Sequence, residues 1–172
     1  SRAVTREDYL ARVFSMPARF GKIDKAFVRK DAVNETALDI HVLARDENDN
    51  LAQASNTLIR NLKTYLGKYR MLTDGVNILQ TDIINLRVNF GVVVSKKSNR
   101  DEVLSKCLST LVDELDTART QIGQPIIISE LKALLQNVVG VISVYDLQVN
   151  NVFGTVDGLP YSVVRFDPQS WT

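Results

Sequence analysis

Residues that could carry catalysis or bind metal are sparse, because the chain has one histidine, His41, and one cysteine, Cys107. A catalytic imidazole needs a nucleophile or carboxylate beside it, and a zinc site needs more His or Cys ligands than this chain has. His41 lies on the polar side of a predicted strand, which favours a surface histidine. Cys107 lies on the apolar face of a predicted helix, with only Lys106 as a basic neighbour, so we expect it to pack as a small hydrophobic residue.

One segment resembles the start of a calcium-binding loop, since Asp46, Asn48 and Asn50 follow the pattern D-x-N-x-N. The match fails at the sixth position, which is Leu51 rather than Gly, and at the twelfth, which is Thr57 rather than Glu. We interpret this segment as a solvated turn with capping side chains. The sequence also lacks a glycine-rich phosphate loop and a serine nucleophile elbow. It therefore predicts no catalytic residue, no metal site and no cofactor.

Composition is that of an ordinary globular domain, with 172 residues, 45% hydrophobic and 24% charged. The formal net charge of +1 supplies no general attraction to nucleic acid or to an anionic membrane. No apolar run approaches the roughly 20 residues that cross a bilayer, and no signal segment opens the chain. With a single cysteine, no internal disulfide can form. Because the chain begins at Ser1 without methionine, we expect a piece of a longer protein.

The clearest structural pattern covers residues 51–95. Its second half predicts a long strand with one apolar face, because hydrophobic residues occupy every second position from Ile84 to Val94. Its first half predicts a helix with one apolar stripe, formed by Leu51, Leu58, Leu62, Tyr65 and Tyr69. We expect this helix to cover the apolar face of the strand. The opposite strand face carries Asn85, Arg87, Asn89 and Gly91.

The remaining periodicities complete the predicted order of helix, two strands, helix, long strand, two helices, strand and tail. The helix after Asn99 has one wide apolar face, made by Val103, Leu104, Cys107, Leu108, Leu111 and Leu115. This order predicts an α+β fold, a two-layer sandwich with ferredoxin-like character and with helices on one face of a mixed sheet. We divide the chain into an N-terminal helix and linker (1–20), an α+β core domain (21–149) and a tail or short hairpin (150–172).

A ferredoxin-like sheet can also serve as an RNA platform, which requires aromatic side chains on its open face. The one aromatic of the long strand, Phe90, points to the apolar side, and the charge is nearly balanced. The sequence therefore favours no nucleic-acid partner, and equally no membrane and no small-molecule substrate.

Four segments carry a resemblance to a known family: TREDYLARVFSMPARFGKI at 5–23, NLKTYLGKYRMLT at 61–73, and the stretches 83–94 and 138–149. Together they resemble the C-terminal portion of baseplate wedge proteins from contractile-tailed bacteriophages, within the broader baseplate J-like family. These are packing and turn motifs rather than catalytic ones. The specificity of the resemblance comes from their order and extent, which cover most of residues 5–149.

The resemblance implies a structural protein of the tail baseplate, located in the virion and assembled in the host cytoplasm. Its expected partners are a second copy of itself, as a homodimer, and other baseplate wedge proteins. The family clamps neighbouring wedges and transmits the rearrangement that triggers sheath contraction. It has no enzymatic activity and no cofactor that would transfer to this chain.

Two groups of residues are candidates for the interface. The first lies on the short N-terminal helix, which has little to bury against locally: Arg6, Tyr9, Arg12 and Val13. The second consists of the tail aromatics Phe153, Tyr161, Phe166 and Trp171. The alternative for both groups is that they cap the core of their own domain. An alternative function is an accessory or regulatory ligand-binding domain of a larger protein, which a deep pocket with convergent polar groups would favour.

Overall fold

The computed structural model describes residues 3, 5–34, 37–69, 75–162 and 164. It divides into two compact units, one formed by Ser1–Ile83 with Gln121–Gly123 and the other by Ile84–Thr120 with Gln124–Thr172. Both units combine helices with β-strands, so the prediction of an α+β fold is confirmed. Where the sequence predicts one core domain over 21–149, the buried side chains form two separate clusters, one in each unit.

The first unit contains a mixed four-stranded sheet with two α-helices. Strand β2 (Ala37–Arg45) is its centre. Strand β1 (Lys25–Lys30) pairs with it antiparallel along one edge, and on the other edge β4 (Gly75–Gln80) pairs parallel with its first part and β3 (Leu51–Gln53) antiparallel with its last part. Helix α2 (Asn56–Leu66) connects β3 to β4, which completes a parallel crossover from β2 to β4. The elements are α1 (Arg6–Phe14), β1 (Lys25–Lys30), β2 (Ala37–Arg45), β3 (Leu51–Gln53), α2 (Asn56–Leu66) and β4 (Gly75–Gln80).

Both helices of this unit cover the same sheet face. Along β2 the alternate residues Ile40 and Val42 are fully buried in the first cluster, together with Leu62 of α2. Helix α1 begins with a capping box, in which the Thr5 hydroxyl accepts from the Asp8 amide at 3.1 Å and the Asp8 carboxylate accepts from the Thr5 amide at 2.9 Å. The cap fixes where this short helix begins.

The second unit is a two-stranded antiparallel ribbon with two helices on one face. Residues Val88, Phe90 and Val92 of the long strand pack beneath the buried Cys107 and Leu135 of the two helices. The predicted alternation of this strand is therefore observed over most of its length, although Ile84 and Leu86 are exposed. The elements are β5 (Asn85–Val94), α3 (Arg100–Glu114), α4 (Ile128–Gln136), β6 (Val141–Val152), and a small hairpin of β7 (Thr155–Val156) and β8 (Leu159–Pro160).

The expectation that the helix of residues 51–69 covers the long strand is wrong. Leu51 lies in β3, and the helix begins only after Ser55, whose hydroxyl accepts from the Leu58 amide at 3.2 Å. The stripe of α2 is buried in the first cluster, whereas the apolar face of β5 packs in the second. The crossover from β2 instead returns through β4, the short extended segment that precedes β5.

Strand β6 contains two β-bulges opposite β5. Asn89 pairs with Gln148 and Gly91 with Tyr145, so two residues of β6 oppose Phe90 alone. One of the two is Asp146, which has a left-handed backbone with φ of 50°. The second irregularity lies between the pairs Val93–Ser143 and Val94–Val141, with Ile142 as the extra residue.

Candidate interaction surfaces

His41 has no catalytic partner in the part of the chain that the structure describes. It lies on the sheet face opposite the first core cluster, beside Phe27 of β1, with 6.5 Å between the two ring centroids. Its Nε2 atom is buried and makes no hydrogen bond there. Burial lowers the pKa of His41, nearby Arg29 lowers this pKa further, and Asp39 raises it in opposition. His41 is therefore a partly buried imidazole whose neutral form is favoured, whereas the sequence predicted a surface histidine.

Cys107 is fully buried in the second cluster, as predicted for a small hydrophobic residue. Burial raises the pKa of its thiol, which keeps the group protonated and poorly nucleophilic. Among the described residues no group of His, Cys, Asp or Glu is placed to hold a metal ion. Nor does any helix among them have the length and apolarity to cross a membrane.

The segment that resembles a calcium loop is a closed turn. One oxygen of Asp46 accepts from the backbone amides of Asn48 at 2.9 Å and Asn50 at 2.8 Å. These hydrogen bonds, chiefly the one from Asn50, lower the pKa of Asp46. The interpretation as a solvated turn is confirmed, because the carboxylate is occupied by the backbone of its own turn.

The predicted interface residues of α1 divide between the core and the surface. Tyr9 and Val13 are fully buried in the first cluster, whereas Arg6 is exposed. The Arg12 guanidinium lies over the ring of Tyr69, 4.4 Å from its centroid, in a cation–π contact. Tyr9 and Val13 thus pack in the core of their own unit, which leaves Arg6 as the fully exposed member of this group.

The tail aromatics also have different environments. Phe153 is 38% exposed, and Tyr161 is half-buried, with its amide donating to the Gly154 carbonyl at 2.7 Å. Phe166 and Trp171 lie outside the described residues. Of the two tail aromatics that the structure describes, Phe153 lines a surface groove and Tyr161 does not.

That groove, of about 280 Å³, lies on the open face of the β5–β6 ribbon. Arg87 of β5 pairs across it with Asp157 at 3.6 Å, and both side chains are well exposed, so solvent screens this ion pair. The residues that line the groove are Arg87, Asn89, Asn150, Asn151, Val152, Phe153 and Val156. It is a shallow groove that mixes polar with apolar side chains, rather than a deep pocket with convergent buried groups.

The same open face carries an exposed aromatic, Tyr145, that the sequence pattern does not single out. Tyr145 of β6 is 57% exposed, and its ring lies over Gly91 of β5. Exposed rings can stack on nucleic-acid bases, but the described face offers Tyr145 alone at its centre, whereas such platforms use several.

Helix α3 carries a second apolar surface, which we call the α3 stripe and which consists of Leu104, Leu108 and Val112. Their side chains are 44%, 49% and 68% exposed. At 100° per residue the stripe lies about 100° around the helix from the buried row Val103, Cys107 and Leu111. Polar residues of α3, including Lys106 and Thr110, line a groove with α4 on the opposite flank.

The prediction that Leu104 and Leu108 lie on the core face is wrong. The predicted apolar face, extended by Val112, covers about half of the helix circumference, whereas packing against one sheet uses a stripe of about 100°. The width of the apolar face was therefore the signal that could have revealed a second surface on α3.

A solved structure contains a chain whose fold is similar to this one. A chain in the cryo-electron microscopy structure of the anti-feeding prophage (AFP) baseplate, six-fold symmetrised, is similar with a TM-score of 0.56 and 17% sequence identity. The match covers 87% of this chain and 34% of that chain, so this chain spans about a third of the other's length. No family model matches the sequence, and no curated protein matches it significantly. The similarity establishes a shared fold.

Proposed function

We propose that this chain is a structural component of the baseplate of a contractile tail. The single observation that carries the proposal is the fold similarity to a chain of the anti-feeding prophage baseplate over 87% of these residues. The resemblance of residues 5–149 to baseplate wedge proteins supports the same role independently of the fold. In this role the chain belongs to the baseplate J-like family and acts in the virion after assembly in the host cytoplasm.

The proposed mechanism is mechanical rather than chemical. The chain associates with a second copy of itself and with other wedge proteins, and the contacts hold neighbouring wedges together until the sheath contracts. The surfaces described above suit contact with proteins, since they are shallow and mix apolar with polar side chains. Arg6 and Phe153 are the exposed members of the predicted interface residues.

Deletion of the gene from a tail-producing host tests this role. We expect loss of assembled baseplates and sheaths in electron micrographs, with restoration by the wild-type gene supplied in trans. A gold or fluorescent label on the chain should mark one end of the tail. Normal tails in the deletion strain, or a label that never co-purifies with particles, would exclude the baseplate role.

A further inference from the structure

We infer that the α3 stripe is the surface through which two copies of this chain pair, with α3 of one copy antiparallel to α3 of the other. This inference rests on the proposed self-association and specifies the surface that makes it. The stripe consists of three exposed aliphatic side chains at a spacing of four residues, which form one ridge of the kind that helices use to pack on each other. Nothing among the described residues covers it.

The spacing makes the stripe complementary to itself. In an antiparallel pair with two-fold symmetry at Leu108, Leu104 of one copy faces Val112 of the other, and each ridge fills the groove of its partner. In a parallel pair the same residues would face their own equivalents, and like charges at each helix end would meet.

Charges at the two ends of α3 favour the antiparallel pair. Arg100 opens the helix and Glu114 closes it, and both are exposed, with no ion pair to another described residue. Each opposes the helix dipole, which favours acidic residues at the N-terminus and basic residues at the C-terminus. In the antiparallel pair with its two-fold axis at Leu108, the N-terminal end of one α3, which carries Arg100, lies beside the C-terminal end of the other, which carries Glu114. These two charges are unfavourable within a single α3 helix, but they attract each other when two α3 helices pair antiparallel.

Neighbouring charges extend this polarity along the helix. Glu102 and Lys106 form an ion pair at 2.7 Å and neutralise each other. Beyond that pair, the N-terminal end carries Lys96, Lys97 and Arg100 against Asp101, and the C-terminal end carries Asp113, Glu114 and Asp116 against Arg119. A basic end therefore meets an acidic end twice in the symmetric pair.

Sedimentation equilibrium of the 172-residue chain tests the inference. The stripe is small beside the roughly 800 Å² that each partner buries in a standard stable interface, so the measurement must extend to high protein concentration. We expect a concentration-dependent dimer in the wild type. Leu108→Glu should weaken it at least about tenfold, since it places two carboxylates at the symmetry axis.

Val139→Glu is the matched control. Val139 is 82% exposed in the same unit and lines the groove on the other flank of α3, so this variant should dimerise like the wild type. Arg100→Glu and Glu114→Arg should each weaken the dimer, and the double variant should restore it. That restoration reports pairing between copies and would not follow from a change in folding.

Cross-linking determines the direction of the helices. A short bis-maleimide should join Leu108→Cys chains to one another, and should join Leu104→Cys to Val112→Cys chains only when the two variants are mixed. Native Cys107 is buried and should react slowly. Cross-linking of Leu104→Cys to itself as fast as to Val112→Cys would contradict the antiparallel arrangement.

The outcomes separate this inference from the baseplate role. A dimer that tolerates Leu108→Glu would overturn the assignment of the surface, and a chain that stays monomeric at every concentration would overturn the pairing itself. Neither result bears on whether the chain is present in tail particles, which the deletion and labelling experiment decides.

Discussion

Gly91 and Tyr145 face each other across the β5–β6 ladder, and the ring of Tyr145 occupies the space that a side chain at Gly91 would need. A Cβ added at Gly91 would lie 2.4 Å from Cε2 and 2.5 Å from Cζ of that ring. The absence of a side chain at position 91 therefore lets an exposed tyrosine lie flat on the ribbon and cover its backbone.

We expect Gly91→Ala to displace the Tyr145 ring into solvent and to reduce the free energy of unfolding by about 1 kcal/mol, at the low end of overpacking costs because the ring can rotate away. Chemical denaturation measures the change. In a Tyr145→Ala background the same substitution should be neutral or stabilising. An equal loss in both backgrounds would contradict the contact between ring and glycine.

The two separate core clusters predict local consequences of core substitutions. Leu62 of α2 and Leu135 of α4 are both fully buried, one in each cluster. Leu62→Ala and Leu135→Ala should each destabilise their own unit by about 2–5 kcal/mol, through lost burial and the cavity that remains. Hydrogen exchange should show faster opening of β2 and β4 in the first variant and of β5 and β6 in the second. Uniform acceleration over both units would show that they unfold together.

Asp146 has a left-handed backbone that glycine adopts at lower cost, and its carboxylate accepts from the side-chain Nε2 of Gln148 at 2.7 Å. Asp146→Ala removes this hydrogen bond and keeps the strained backbone, so we expect a loss of about 1 kcal/mol. Asp146→Gly removes the same hydrogen bond and relieves the strain, so it should be closer to wild type. Thermal melts of the two variants provide the comparison, and a less stable glycine variant would contradict the account.

His41 should make stability depend on pH near neutrality. Its pKa is lower in the folded chain than in the unfolded chain, so the unfolded chain binds more protons as the pH falls through the ordinary histidine range of about 6.5. Stability contributed by the neutral imidazole is therefore present above this range and is lost below it. Denaturation at pH 8 and at pH 5.5 should show a smaller difference for His41→Phe than for the wild type. Identical differences would show that His41 does not titrate on unfolding.

Carboxylates give a separate dependence at lower pH. Hydrogen bonds from backbone amides lower the pKa of Asp31 and of Asp46 in the folded chain. Their contribution is present above the ordinary carboxylate range and is lost as the pH falls through it. Measurements for His41 should therefore stay above pH 5, where these groups remain ionised.

Local periodicity predicted most helices and strands of this chain, because alternation and helical spacing report which side chains are buried. Packing partners were harder to predict. The apolar faces of α2 and β5 are compatible with each other, and only the contacts of β4 with β2 and of α3 with β5 show that they belong to different clusters. Tyr9 and Val13 illustrate the same limit, since a short terminal helix can pack on its own core or on a partner with identical spacing.

The α3 stripe differs because its signal was present in the sequence. Val112 follows Leu104 and Leu108 at helical spacing, and the resulting face is wider than one core contact requires. The partial burial of His41 could not be predicted from the sequence in this way. It depends on strands β1 and β4, which lie on either side of His41 and bury its Nε2 atom.

The bulges of β6 have a consequence for the solubility of the chain at high protein concentration. A strand of 12 residues whose outer edge pairs with no other described strand would normally invite another chain to extend the ladder. Bulges at Ile142 and Asp146 break that edge into short segments and increase its twist, so a stray strand finds few consecutive hydrogen-bonding groups in register. We therefore expect this irregular edge to resist fibrillar growth by strand addition.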